Sequence, residues 1–237
     1  EGLREALCVL GNGYFATRGA APESEVSRIH YPGTYIAGVY NKLATHVAGR
    51  TIHNEDFVNC PNWLPLTFKM GKGEWINPST SRIISYYQEL DMKRAVLIRK
   101  IRLQDNRSQE VTIETQRIVH MVDFHRGAIK YVITPHNYEG EITIRSGLDG
   151  GVQNTGVTRY RQLNSKHLRS LSAGAFSKFG IYLSVKTNNS GIEVSQAAKV
   201  LISSKARQLR PTSEIFTKSR KKIFQEFKIF VKKKESY

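Results

Sequence analysis

Cysteine is nearly missing: Cys8 and Cys60 are the only two in 237 residues. Two cysteines do not make a disulfide framework, so a reducing compartment, the cytoplasm, is expected. Both sit in apolar strings, ALCVL and VNCPNW, and read as small buried hydrophobes. No CxxC or HxxxH pair occurs, so no spacing suits a zinc site, and no metal or cofactor is expected. No apolar run reaches 18 residues, so no membrane-spanning helix is expected. The opening EGLREALCVLGNGY has no basic-then-apolar leader and no initiator Met, so it is expected to begin inside a longer chain. Acid is also short, with 20 Asp+Glu against 36 Lys+Arg and a net charge of +16. Hydrophobic residues, at 40%, still suffice for a core, which excludes disorder over most of the length.

The positive excess is uneven. Residues 199–237 hold 12 Lys/Arg and 3 Asp/Glu, more than half of the net charge. The clusters are Arg220-Lys221-Lys222 and Lys232-Lys233-Lys234. A basic patch can attract nucleic acid. Between the clusters, however, IFQEFKIFV alternates apolar and polar as a half-buried strand does. No RNP, KH, zinc-finger or helix-turn-helix pattern occurs, so no nucleic-acid partner is expected. The lysines read as a solvated face that guards a strand edge.

Alternation of period two dominates from about residue 83 onward. Segment 110–121 puts Val111, Ile113, Thr115, Val119 and Met121 on one face. Segments 128–134, 141–145, 180–187, 192–202 and 223–231 also read as strands. Turn residues separate them: Asp105-Asn106, His125-Arg126-Gly127, Asn137 to Gly140, Asp149-Gly150-Gly151 and Asn188 to Gly191. The last strand falls close to the final residue, where a sandwich would normally supply it with a partner. Residues 11–80 are rich in Gly, Asn, Pro and aromatics and read as rigid loops and short strands. The fold class is all-β, with short strands at the spacing of a large antiparallel sandwich.

Candidate chemistry is sparse. Gly11-Asn12-Gly13-Tyr14-Phe15-Ala16 matches GxGxxG/A, but Thr17 to Pro22 follows where a helix should receive the pyrophosphate. The string reads instead as a tight glycine loop. Of the possible carboxylate pairs, Glu55-Asp56 stands out because aromatics and amides surround it in HNEDFVNCPNW. The seven histidines are scattered, and no GxSxG elbow exists. Tyr31, Tyr35, Tyr40, Asn41, Asn54, Phe57, Asn59, Asn62 and Trp63 form an aromatic and amide cluster of the kind that binds sugars or locks loops against another domain.

Seven strings follow in order: LGNGYFATRGAAPE (10–23), YPGTYIAGVYN (31–41), EDFVNCPNWLPLTF (55–68), YYQELDMKRAVLIR (86–99), RIVHM (117–121), ITPHNYEGEITIRSGLDGGVQN (133–154) and VTRYRQLNSKHL (157–168). Together they resemble the N-terminal part of glycoside hydrolase family 65, which contains maltose, trehalose and kojibiose phosphorylases. The resemblance implies a supersandwich of the galactose-mutarotase-like type over residues 1–237, with irregular Gly/Asn/aromatic-rich N-terminal loops. It implies that both ends fall inside a longer polypeptide whose catalytic (α/α)6 barrel lies outside this chain. In the family, inorganic phosphate attacks an α-glucoside with inversion while a barrel Glu protonates the leaving oxygen. Family hydrolases use water instead. No residue here inherits a catalytic role, and α-glucoside disaccharide and phosphate reach the enzyme through the barrel. By the same resemblance the sandwich packs on the barrel and supports a homodimer. Asn12, Arg18, Tyr35, Asn41, Asn59 and Trp63 are the candidates for that interdomain face and active-site rim. Cys60 departs from the family, where Leu is more usual, and reads as a tolerated core change. The alternative is a stand-alone carbohydrate-binding or interaction module.

Overall fold

A computed structural model describes residues 1–155, 163–205 and 207–237. Most of these residues lie in strands, as expected for alternating apolar residues that bury one face of a pleated ribbon. One short helix, α1 (Gly2–Leu7), precedes β1 (Leu10–Gly11), β2 (Phe15–Thr17), β3 (Thr34–Ile36), β4 (Tyr40–Val47), β5 (Arg50–Phe57) and β6 (Leu66–Met70). Then come β7 (Arg82–Asp91), β8 (Val96–Gln104), β9 (Glu110–Val119), β10 (Gly127–Pro135) and β11 (Gly140–Asp149). The rest are β12 (Leu168–Ser177), β13 (Gly180–Thr187), β14 (Glu193–Lys199), β15 (Ile202–Ser204), β16 (Arg207–Leu209), β17 (Thr212–Ser219) and β18 (Lys222–Val231). No described helix is long and apolar enough to cross a membrane.

Among the described residues every strand pair is antiparallel. Three sheets carry the architecture, with strand orders β10-β9-β8-β7, β17-β18-β11-β6 and β12-β13-β14. The middle one has ten-residue strands, long enough to wall two cores. Ile142, Ile144, Phe227, Ile229 and Val231 pack with Ile101, Ile113 and Ile133 of the first sheet. Leu148 and Ile223, further along the same two strands, pack with Ile181, Leu183, Val185 and Val194 of the third. The directly paired residues Ser146 and Gln225 stand between the two cores. Gln225 is fully buried there and donates its amide to the Lys178 carbonyl. The all-β antiparallel sandwich is therefore one sheet facing two others along its length.

Several boundaries differ from the sequence reading. Segment 192–202 is not one strand, since β14 ends at Lys199 and β15 starts at Ile202. Strand β11 continues past 145, pairing with β18 as far as Asp149, and at Gly147 a Cβ would lie 2.4 Å from the Phe224 ring. Met121 leaves its strand face and is 56% exposed in the turn after β9. The eight-residue strands β4 and β5 make a hairpin inside the stretch expected to be loops and short strands. Strand β18 is not an edge, because β11 and β17 flank it, so Lys222 and Lys228 guard no edge and the strand already has both partners. Lys222 instead forms an ion pair of 2.7 Å with Asp149.

Candidate functional site

The GNGYFA string folds as a hairpin of β1 and β2, with Gly13 at φ +87° in the turn. Strand β3, not a helix, is the next element after β2. Asn12 Oδ1 accepts the Tyr14 and Phe15 amides, both at 3.0 Å. Its Nδ2 donates to the His120 and Phe124 carbonyls at 2.7 and 2.9 Å. Asn12 thereby ties the hairpin to the turn between β9 and β10.

The next residues, ATRGAAPE, are anchored by two buried arginines. Arg117 donates to the Arg18 and Ala20 carbonyls at 2.9 and 2.6 Å. Arg99 meets Glu23 at 2.5 Å, and the Tyr131 hydroxyl donates to the same carboxylate oxygen at 2.6 Å. Burial, together with neighbouring Arg99, pushes the Arg117 guanidinium down to about 9. Burial, reinforced by Glu23, holds the Tyr131 hydroxyl well above its usual value. Sequence reading missed this cluster. Its signal was period two itself, which puts Arg99 in line with Leu97 and Ile101, and Arg117 in line with Thr115 and Val119.

Beyond this anchor lies an open groove of about 1120 Å³. Arg18, Tyr31, Tyr35, Glu55, Asp56 and Asn154 are among its lining residues. Arg18 donates to the Tyr31 and Gly2 carbonyls, each at 2.9 Å, and its guanidinium lies 5.4 Å from the Tyr31 ring centre. The Tyr35 and Tyr31 hydroxyls are 3.4 Å apart. Burial first, then Tyr31, raises the Tyr35 hydroxyl above its usual range. Phe57 packs between Tyr35 and Tyr40, with ring centres 5.2 and 5.1 Å away. The aromatic ladder thus continues from the groove onto the β4–β5 hairpin.

The two carboxylates singled out in the sequence both reach this groove but differ in surroundings. Glu55 is exposed. Asp56 accepts from the Asn54 amide and lies 3.2 Å from His167 Nε2. His167 is buried, and its Nδ1 is 3.1 Å from the Asn41 amide nitrogen. Burial lowers the His167 pKa, and Asp56 only partly opposes this. Asn41 Oδ1 accepts the Asn189 and Ser190 amides at 3.0 and 2.9 Å, fastening the hairpin to the turn after β13.

Of the six candidate residues, Arg18 and Tyr35 line the groove. Asn59 is buried, accepting the Thr34 amide at 3.0 Å and donating to the Gln153 carbonyl at 3.3 Å. Asn41 is buried beside His167, and Asn12 binds the 120–126 turn. Trp63 packs elsewhere, against Gly127, where a Cβ would lie 3.0 Å from the ring. The fourteen-residue string resembling the family at 10–23 therefore acts mainly through backbone contacts. Cys60 is fully buried in the core cluster that also holds Val39, Val58 and Leu148, and burial raises its thiol to about 12. Cys8 and Cys60 are both free thiols. Among the described residues no three His, Cys, Asp or Glu side chains gather as a metal site. Residues 157–162 of the seventh string lie outside the described residues.

An all-β sandwich carrying these ordered strings defines a class, the β-domain of a carbohydrate-active enzyme family. The chain belongs to glycosyl hydrolase family 65: the family's N-terminal domain matches residues 1–237. An uncharacterized glycosyl hydrolase of Mycobacterium tuberculosis is 45% identical over 199 residues, which are 84% of this chain and 15% of that protein. A kojibiose phosphorylase of Caldanaerobacter subterraneus is 35% identical, covering 80% of this chain and 23% of the relative. A trehalose 6-phosphate phosphorylase of Lactococcus lactis is 34% identical, covering 83% and 24%. The chain thus spans between about a seventh and a quarter of the length of these relatives.

Proposed function

We propose that this chain is the non-catalytic β-domain of a cytoplasmic, inverting α-glucoside phosphorylase. The observation that carries this reading is the family match over the full chain, joined to the phosphorylase names of its relatives. The catalytic chemistry, with inorganic phosphate as co-substrate and no further cofactor, belongs to a domain outside these residues. The sandwich packs on that domain, helps to form the active-site rim and supports a homodimer. The groove suits a rim, since Arg18, Tyr31, Tyr35, Glu55 and Asp56 offer rings that stack and charges that bind hydroxyls.

The test is phosphorolysis of kojibiose, trehalose, trehalose 6-phosphate and maltose, read as glucose 1-phosphate, or glucose 6-phosphate where appropriate. The intact polypeptide should turn over at least one of them. The 237-residue chain alone should turn over none, and activity there would overturn the placement of the chemistry. The groove's aromatic and polar lining also fits the second reading, a sugar-binding module. Calorimetry separates the two, because millimolar or tighter α-glucoside binding by this chain alone favours the module.

A further inference from the structure

One sheet edge of the sandwich is only half used. In β10 the backbone of every second residue points away from β9, because the strands pair antiparallel. At the far end those outward groups are satisfied by the last residues of the chain. Lys234 donates its amide to the Pro135 carbonyl at 2.6 Å. Ile133 and Tyr237 exchange both backbone hydrogen bonds, at 2.9 and 3.1 Å. The same alternation aims the N–H and C=O groups of Ile129 and Tyr131 outward, and among the described residues they have no backbone partner. These groups border a cleft of about 400 Å³. Its apolar lining includes Leu66 and Ile144 of the sheet opposite, with Val200 and Ile202 from the connection after β14 and from β15. Trp63, also in the cleft, has a buried indole N–H without an acceptor.

An unpaired strand edge is a ready template for another strand, the more so where apolar surface lies beside it. We propose that the edge of β10 is a strand-acceptor site, filled in the intact polypeptide by the segment that follows Tyr237. The Ile133–Tyr237 pair already sets its direction and register. Continuing antiparallel, the second and fourth residues after Tyr237 lie opposite Tyr131 and Ile129. Opposite residues share a face, so both positions take apolar side chains that fill the cleft. The first and third lie opposite Val132 and Lys130 and face outward. This inference rests on family membership, whose domain is N-terminal in longer relatives. It does not rest on the reaction proposed above, so an inactive polypeptide would leave it intact.

The test uses the intact polypeptide. Hydrogen exchange of the unmodified protein should show the Ile129 and Tyr131 amides protected at least about 100-fold, as hydrogen-bonded strand amides are. Lys130→Cys, combined with Cys at the third residue after Tyr237, places two thiols at a non-hydrogen-bonded pair. There the Cα atoms approach to about 4.5 Å, within disulfide reach. Mild oxidation should close that bridge within one chain, whereas Cys two positions further on should not pair. Unprotected Ile129 and Tyr131 amides, a reading frame that stops at Tyr237, or a Lys130→Cys disulfide between two copies would each overturn the proposal. The last result would assign the edge to a second copy of the chain.

Discussion

The N-terminal region and the sheets that follow it are held by different forces. In the sheets, apolar side chains alternate along strands and meet across two cores. In residues 10–63, folding depends on polar side chains that reach across the fold to backbone groups. Arg117, Asn12, Asn41 and Asn59 each bind main-chain atoms about 25 to 150 residues away in sequence. The contrast shows why the family-like strings at 10–23 and 31–41 hold so little periodicity. They specify loop paths by individual hydrogen bonds, not by a buried face.

The sharpest way to break the contrast is to delete one polar anchor and compare it with one core side chain. Arg99→Ala leaves Glu23 buried without its cation and should cost about 3–5 kcal/mol. Phe227→Ala should cost about as much, through lost burial and a cavity. Both are read from urea unfolding midpoints. The separating measurement is a double replacement of Arg99 and Glu23 by Met and Leu, which should recover much of the loss. A double variant as unstable as the single would show that the ion pair is indispensable to the loop path.

Asn41→Ala comes next. It leaves the Asn189 and Ser190 amides without their acceptor and should cost about 2 kcal/mol, since buried donors lose their partner. Protease cleavage within β4–β5 should rise in parallel. Asn12→Ala should cost only about 1 kcal/mol, because water reaches the exposed Asn12 side and replaces part of the bonding. If Asn12→Ala proves the costlier, the hairpin at residues 10–17 is more central than its burial implies.

The same division decides what could be read from sequence. Strand β13 was legible to the residue, and β10 and β18 nearly so, because they alternate cleanly against a core. The β4–β5 hairpin was not, because much of both faces of KLATHVAGRTIHNED meets water and leaves no pattern. Arg99 and Arg117 were passed over, although their parity placed them inward. Glu55 and Asp56 were noticed for their neighbours, and they do reach the groove. The groove itself unites residues from 2–35, 54–57, 154–155 and 163–165, and no spacing rule joins segments that far apart.

The smallest expected effect concerns pH and sharpens the same contrast on one polar lock. His167 is buried between Asn41 and Asp56, and burial depresses its pKa below the ordinary value. The unfolded chain, with an ordinary histidine near pH 6.5, therefore takes up a proton more readily than the native one. Where the unfolded state binds more protons, stability rises with pH. The His167 contribution is thus complete above about pH 6.5 and is lost as the pH falls through the folded value. His136 is also depressed, by its own burial and by Arg102, and adds a slope of the same sign. Urea midpoints at pH 7.5 and 5.5 should show the loss, and His167→Gln should flatten part of it while His136 keeps the remainder. An unchanged slope in His167→Gln would mean that the lock tolerates a charged imidazole. Asp56, 3.2 Å away, would then be the group that accommodates it.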